Sequence, residues 1–118
     1  MKRILLIDDD VDILTILQLV LTVEGFMVQA YSKWQEIFSK VTTFQPSLIL
    51  LDVSLGTADG RNLAKLLKSD DSTKHIPIIL LSAKYNGKEN LLECEADDFI
   101  AKPFDLHHLV EKVMSYTS

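Results

Sequence analysis

Cysteine is all but missing from this sequence. Cys94 is the single one in 118 residues, so no internal disulfide can form, and such usage suits a reducing compartment. Glycine and proline are scarce, at four and three, and no linker, low-complexity stretch or internal repeat interrupts the chain. Long apolar runs are lacking too: no segment approaches the roughly 20 residues needed to cross a bilayer. Met1, Lys2 and Arg3 before Ile4–Ile7 have the charged start of a signal peptide, but the apolar run is far too short and three aspartates end it. Positive charge is in deficit, with 12 basic against 17 acidic residues and a formal charge of −5. That balance repels nucleic-acid phosphates, so direct DNA or RNA binding is not expected of this segment. These absences point to a cytoplasmic protein with no membrane partner. The length fits one domain over residues 1–118, large enough to bury its own core.

What the chain does contain is an alternation of short apolar runs with amphipathic stretches, the pattern of repeated βα units around a parallel sheet. Ile4–Ile7 has no polar alternation, as expected of a strand covered on both faces. Val11 to Glu24 carries Ile13, Leu14, Leu17, Val20 and Leu21 at helical spacing, and Gly25 stops it. Met27–Tyr31 reads as a second strand, and Trp34, Ile37, Phe38 and Val41 as one face of a second helix. Leu48–Leu51 is the clearest buried strand. Asp59 and Gly60 precede a helix whose predicted inner face is Leu63, Leu66 and Leu67. Ile76–Leu81 forms a fourth strand with Pro77 near its start, residues 86–95 a short fourth helix, and Phe99–Ala101 a fifth strand. Asp105 caps a last helix expected to bury Leu106, Leu109, Val110 and Val113. The expected fold is α/β: a doubly wound, five-stranded parallel sheet with helices on both faces.

In such folds ligands bind beyond the carboxyl ends of the strands, and the residues there are orderly. Asp8, Asp9 and Asp10 follow the first strand, Asp52 ends the third, Ser82 the fourth, and Lys102 with Pro103 the fifth. Carboxylates gathered on one rim repel one another, and a hard divalent cation relieves the conflict. Lys102 adds a point charge suited to a carboxylate or a phosphoryl oxygen, and Ser82 a hydroxyl donor. These parts suit phosphoryl transfer, in which catalysis is mostly positioning and charge neutralisation.

ILLIDDD at 4–10, LILLDVSLGTADG at 48–60, IPIILLSA at 76–83 and DDFIAKPF at 97–104 resemble, in order, the four sequence blocks of response-regulator receiver domains. The resemblance spans nearly the whole chain and implies the sheet order 2-1-3-4-5. It implies that Asp52 is the phosphoacceptor and that Asp8 and Asp9 are the acidic pair, Asp9 as the direct metal ligand and Asp8 largely through water. Asp52 and the backbone carbonyl of Ser54 would complete the protein's hold on Mg²⁺, with Mn²⁺ as the alternative ion. Ser82 and Phe99 take the positions of the switch hydroxyl and switch aromatic, Lys102 that of the family's lysine, and Lys102–Pro103 that of a cis peptide bond. The implied partners are a sensor histidine kinase or phosphotransfer protein upstream and a target protein or fused effector domain downstream, with a homodimer as one form of the phosphorylated state. On this reading the chain is a switch rather than an enzyme, and phosphorylation alters the surface of helix four, strand five and helix five.

Some positions depart from the family pattern. Gly56 stands where many relatives have proline, and Thr57 and Ala58 replace the commoner Gly-Met before Asp59-Gly60, so a more mobile loop is expected. Glu95 stands where glycine is often found, and the segment from Ser82 to Lys102 is about two residues shorter than usual in the family. Plainer readings exist for single residues: Asp8–Asp10 and Asp52 as helix caps, Lys102 as a solvated charge, Trp34 and Phe38 as packing, and Cys94 as a small half-buried side chain. His75, His107 and His108 lack zinc-ligand spacing, and Asp70–Asp71 reads as a solvated pair. The rival enzyme reading is a haloacid-dehalogenase-like phosphatase with Asp8 as nucleophile, Asp10 as acid/base, Ser82 on phosphate and Asp97–Asp98 on a metal. It leaves Asp52 and Lys102 unexplained. A third reading is a receiver-like interaction module that is never phosphorylated.

Overall fold

A computed structural model describes residues 1–83 and 95–118. The expected helix at 86–95, apart from its last residue, lies outside the described residues, as does Cys94.

Five strands form one parallel sheet: β1 (Arg3–Ile7), β2 (Met27–Tyr31), β3 (Leu48–Asp52), β4 (Ile78–Ser82) and β5 (Asp98–Ala101). Their order is β2-β1-β3-β4-β5, so the chain reverses its direction of winding between β1 and β3. Strands β1, β3 and β4 carry the unbroken apolar runs Ile4–Ile7, Leu48–Leu51 and Ile78–Leu81, because both of their faces are covered. Alternate side chains enter two separate cores. Leu5, Ile7, Ile49, Leu51, Ile78 and Leu80 meet helices α2 (Ile37–Phe44) and α3 (Gly60–Ser69). Ile4, Leu6, Leu48, Leu50, Ile79 and Leu81 meet α1 (Val11–Val23) and the C-terminal helix Leu106–Thr117.

The helix ends follow local chemistry. Asp10 caps α1 by accepting hydrogen bonds from the N–H groups of Asp12 and Ile13. Gly25 ends that helix at φ +100°, a conformation natural to glycine. Asp59 caps α3 and Asp105 the C-terminal helix in the same manner as Asp10. The second helix begins as a 3₁₀ turn at Trp34–Glu36 with no side-chain cap, so its regular part starts only at Ile37.

Two expected core residues are corrected. Leu66 is 54% exposed, because Gly60, Leu63, Ala64 and Leu67 already complete the inward stripe of α3 at i, i+3, i+4, i+7. Leu106, 38% exposed, lies in the first turn of its helix, ahead of the buried set Leu109, Val110, Val113 and Thr117. Strand β4 also starts two residues later than expected, at Ile78, after Pro77.

The loop between β3 and α3 is ordered by a small antiparallel hairpin. Ser54 pairs with Asp59 and Leu55 with Ala58, and the N–H of Gly60 donates to the carbonyl of Val53 at 2.8 Å. Gly56 sits at the tip at φ +65°, so the glycine found there in place of proline belongs to a defined turn. Glu95, at a position where receiver domains often have glycine, also holds a left-handed φ of +63°.

Candidate functional site

All strands of the sheet run parallel, so their carboxyl ends share one rim. Asp8 follows β1 directly, and its N–H reaches the carbonyl of Tyr31 at the end of the neighbouring strand. Its side chain is almost wholly buried. One carboxylate oxygen accepts from the N–H of Asp10 at 2.9 Å, and the other from Lys102 Nζ at 2.7 Å. Asp52 ends β3, is also buried, and places Oδ1 3.3 Å from the same ammonium. Asp9 lies beside them, exposed to solvent. One oxygen from each of Asp8, Asp9 and Asp52 lies within 4.8 Å of the others.

Lys102 comes from the far side of the sheet. It follows β5, its N–H donates to the carbonyl of Ser82 at 2.8 Å, and its bond to Pro103 is cis. Burial opposes its charge, but the hydrogen bond to Asp8 and the charges of Asp52 and Asp8 prevail, so its pKa is raised. The balance at Asp52 goes the other way. Burial and the adjacent Asp8 carboxylate outweigh the charge of Lys102 and the N–H of Ser54, and push the carboxyl up from 3.8 to about 6.

A cleft of about 370 Å³ opens over these groups, lined by Asp9, Asp52, Ser54, Ala58, Ser82 and Lys102 among others. Ser82 is buried at the end of β4. Phe99, half-buried on β5, packs toward the core under α2 and α3. Asp10 and Asp59 also line the cleft, a placement that sequence reasoning did not give Asp59. Its carboxylate is engaged by the Arg61 side chain and by the N–H that it caps. A cleft of similar volume, about 360 Å³, lies beside Arg3, Gln45 and His75. It holds none of the carboxylates of the first.

The parts of the phosphatase reading are not brought together. Asp97 and Asp98 lie at the start of β5, at the opposite end of the strand from the cleft. Asp97 pairs with Lys68 at 2.7 Å and accepts from the N–H of Ile78, while Asp98 holds Lys112 and Tyr116. Asp10 is committed to the α1 cap. Among the described residues, the three carboxylates on the rim are the acidic or histidine grouping with the spacing to hold a metal ion.

The sequence profile of the response regulator receiver domain matches residues 4–114. The chain belongs to this family. The PhoB phosphate regulon transcriptional regulatory protein of Pseudomonas aeruginosa is 37% identical over 114 residues, covering 95% of this chain and 50% of that protein. The DNA-binding response regulator MtrA of Mycolicibacterium paratuberculosis is 34% identical over 114 residues, covering 95% of this chain and 49% of its own length. This receiver thus spans about half the length of the curated relatives it matches. Among solved structures, the CheY-like response regulator receiver domain protein of Methanospirillum hungatei superposes with a TM-score of 0.87 at 29% identity. The alignment covers 98% of this chain and 92% of that one. A receiver domain is a phosphoryl-accepting signalling switch of two-component systems, and its family is not one of classical enzymes. In this receiver no helix among the described residues is long and apolar enough to cross a membrane.

Proposed function

We propose that residues 1–118 form one receiver domain in which Asp52 accepts a phosphoryl group from a phosphohistidine. The observation that carries this reading is the convergence of Asp8, Asp9 and Asp52 with the Lys102 ammonium on the carboxyl rim of the sheet. Asp52 attacks phosphorus in line: a bond forms from its carboxylate oxygen and the nitrogen–phosphorus bond breaks. The electron pair of that bond stays on the imidazole, which takes up a proton. The product is an acyl phosphate on Asp52.

The donor set is all oxygen and suits a hard divalent ion. Asp9, Asp52 and the carbonyl of Ser54 would hold Mg²⁺, or Mn²⁺ in its place, with Asp8 acting largely through water because both of its oxygens already accept hydrogen bonds. Such an ion, when bound, would supply charge neutralisation to the carboxylate and phosphoryl oxygens. Lys102 neutralises Asp8 and Asp52 before transfer, and after it can turn to a phosphoryl oxygen. Ser82, at the cleft wall, donates its hydroxyl to another. Movement of Ser82 leaves space for Phe99, which couples the site to the surface around β5 and the C-terminal helix. The domain promotes its own phosphorylation and dephosphorylation but turns over no other substrate.

The partners that fit are a sensor histidine kinase or a phosphotransfer protein, in the cytoplasm, and a downstream target or attached effector. The net charge of −5 argues that any contact with DNA is made by another segment or protein. The test is intact mass after incubation with Mg²⁺ and acetyl phosphate. One phosphoryl increment, absent without Mg²⁺ and in Asp52→Asn, supports the reading. A folded wild type that gains no mass overturns it in favour of a silent interaction module.

A further inference from the structure

Gly60, a residue with no side chain, packs against the backbone at the end of β3. A Cβ added to Gly60 would fall on the backbone carbonyl oxygen of Asp52, well inside contact distance, 2.9 Å from the carbonyl carbon and 3.0 Å from Val53 Cα. All three atoms are backbone, in or next to a strand buried on both faces, so no flexible side chain can yield. Gly25 and Gly56, by contrast, have nothing within 4 Å of such a Cβ; they serve turns. Gly60 is the first residue of α3 and is buried, and its N–H is bonded to Val53 at 2.8 Å. The start of α3 is therefore seated directly on the Asp52–Val53 peptide.

From this contact we infer that Gly60 is a positioning residue for the phosphoacceptor: its bare Cα sets where the Asp52 backbone, and with it the carboxylate and the Ser54 carbonyl, stand relative to Asp9 and Lys102. The inference rests on the proposed role of Asp52. Adding a methyl group at position 60 requires the helix start and the strand end to separate by something on the order of 1 Å, a misplacement that can cost about a hundredfold in rate. The separation bears most directly on Asp52, whose own backbone is the contact, whereas Asp8 and Lys102 follow other strands and are bonded to each other. It thus disrupts the spacing of the cluster and leaves most of the core in place.

The experiment compares wild type, Gly60→Ala and Ala64→Gly. Ala64 lies one turn further along the same buried face of α3, so its replacement lowers stability without touching Asp52. Mg²⁺ affinity is measured by calorimetry, and phosphoryl uptake from acetyl phosphate by intact mass, both well below each melting temperature. Gly60→Ala is expected to fold, to bind Mg²⁺ at least tenfold more weakly and to take up phosphoryl about a hundredfold more slowly. Ala64→Gly should stay within threefold of wild type in both. If Gly60→Ala melts below the assay temperature, all three proteins are compared in trimethylamine N-oxide, which favours the folded state. Wild-type affinity and rate in folded Gly60→Ala, or equal losses in both variants, overturn the inference. Failure of wild type to take up phosphoryl counts against the role of Asp52, while the Mg²⁺ affinities still decide that of Gly60.

Discussion

At pH 7 the Asp52 carboxylate is charged against the resistance of its burial and of Asp8, with Lys102 and the Ser54 N–H in partial compensation. Its folded pKa of about 6 exceeds the ordinary 3.8, so between those values the native state binds more protons than the unfolded chain. Stability from this group is complete below pH 4 and declines as pH rises through 6, by roughly 3 kcal/mol at most. Asp52→Asn removes the penalty. Its metal-free melting temperature is expected to exceed that of wild type at pH 7.5, with the gap closing toward pH 4. Thermal melts in chelator across that range check this, and a variant less stable than wild type at pH 7.5 contradicts it. A residue that weakens the empty protein in this way fits a group kept for charge chemistry rather than for packing.

At the scale of elements, the hairpin of residues 54–59 depends on its tip. Gly56 at φ +65° occupies a region closed to proline, whose ring holds φ near −65°. Restoring the family's commoner residue by Gly56→Pro is therefore expected to destabilise this protein by about 2 kcal/mol. Denaturant titration would show the midpoint falling with little change in slope; an unchanged or higher midpoint would mean that the turn re-forms around proline. The sequence raised the question of this loop without answering it. Replacement of a proline reads as lost rigidity, whereas the order comes from backbone pairing between Ser54–Leu55 and Ala58–Asp59, which leaves no periodic signature in so short a segment. The strands were legible because Ile4–Ile7, Leu48–Leu51 and Ile78–Leu81 are apolar without interruption, which a sheet covered on both faces requires. Leu66 and Leu106 misled because hydrophobic identity does not by itself say which leucine of a helix faces inward. The rim residues were legible for a topological reason: in a parallel sheet, the residue after each strand falls on the same edge.

For the whole molecule, the proposed role of Asp52 implies that a cation at the rim and the protons of Asp52 would compete for the same carboxylate. Mg²⁺ at a hundred times its dissociation constant stabilises a protein by about 2.7 kcal/mol. The rise in melting temperature on adding Mg²⁺ is expected to be largest above pH 7 and to fade as pH drops below about 6, where Asp52 takes up a proton. Scanning calorimetry at fixed Mg²⁺ across that range measures it. A rise independent of pH would mean that the ion binds away from Asp52. Both cores underlie this linkage, because each strand that bears a rim carboxylate is anchored in the two of them at once.

The bridge from Lys102 to Asp8 joins groups 94 residues apart in sequence. During synthesis, Asp8 and Asp52 are added to the chain well before Lys102. A nascent chain that had already paired β1 with β3 would bring two carboxylates to one edge with their lysine not yet made. The cluster is thus completed only after β5 has been added, and a receiver released early lacks a cation bonded to both acids. On the proposed reading of the site, competence to accept a phosphoryl group would accordingly report that translation has passed residue 102 and that the last strand has docked.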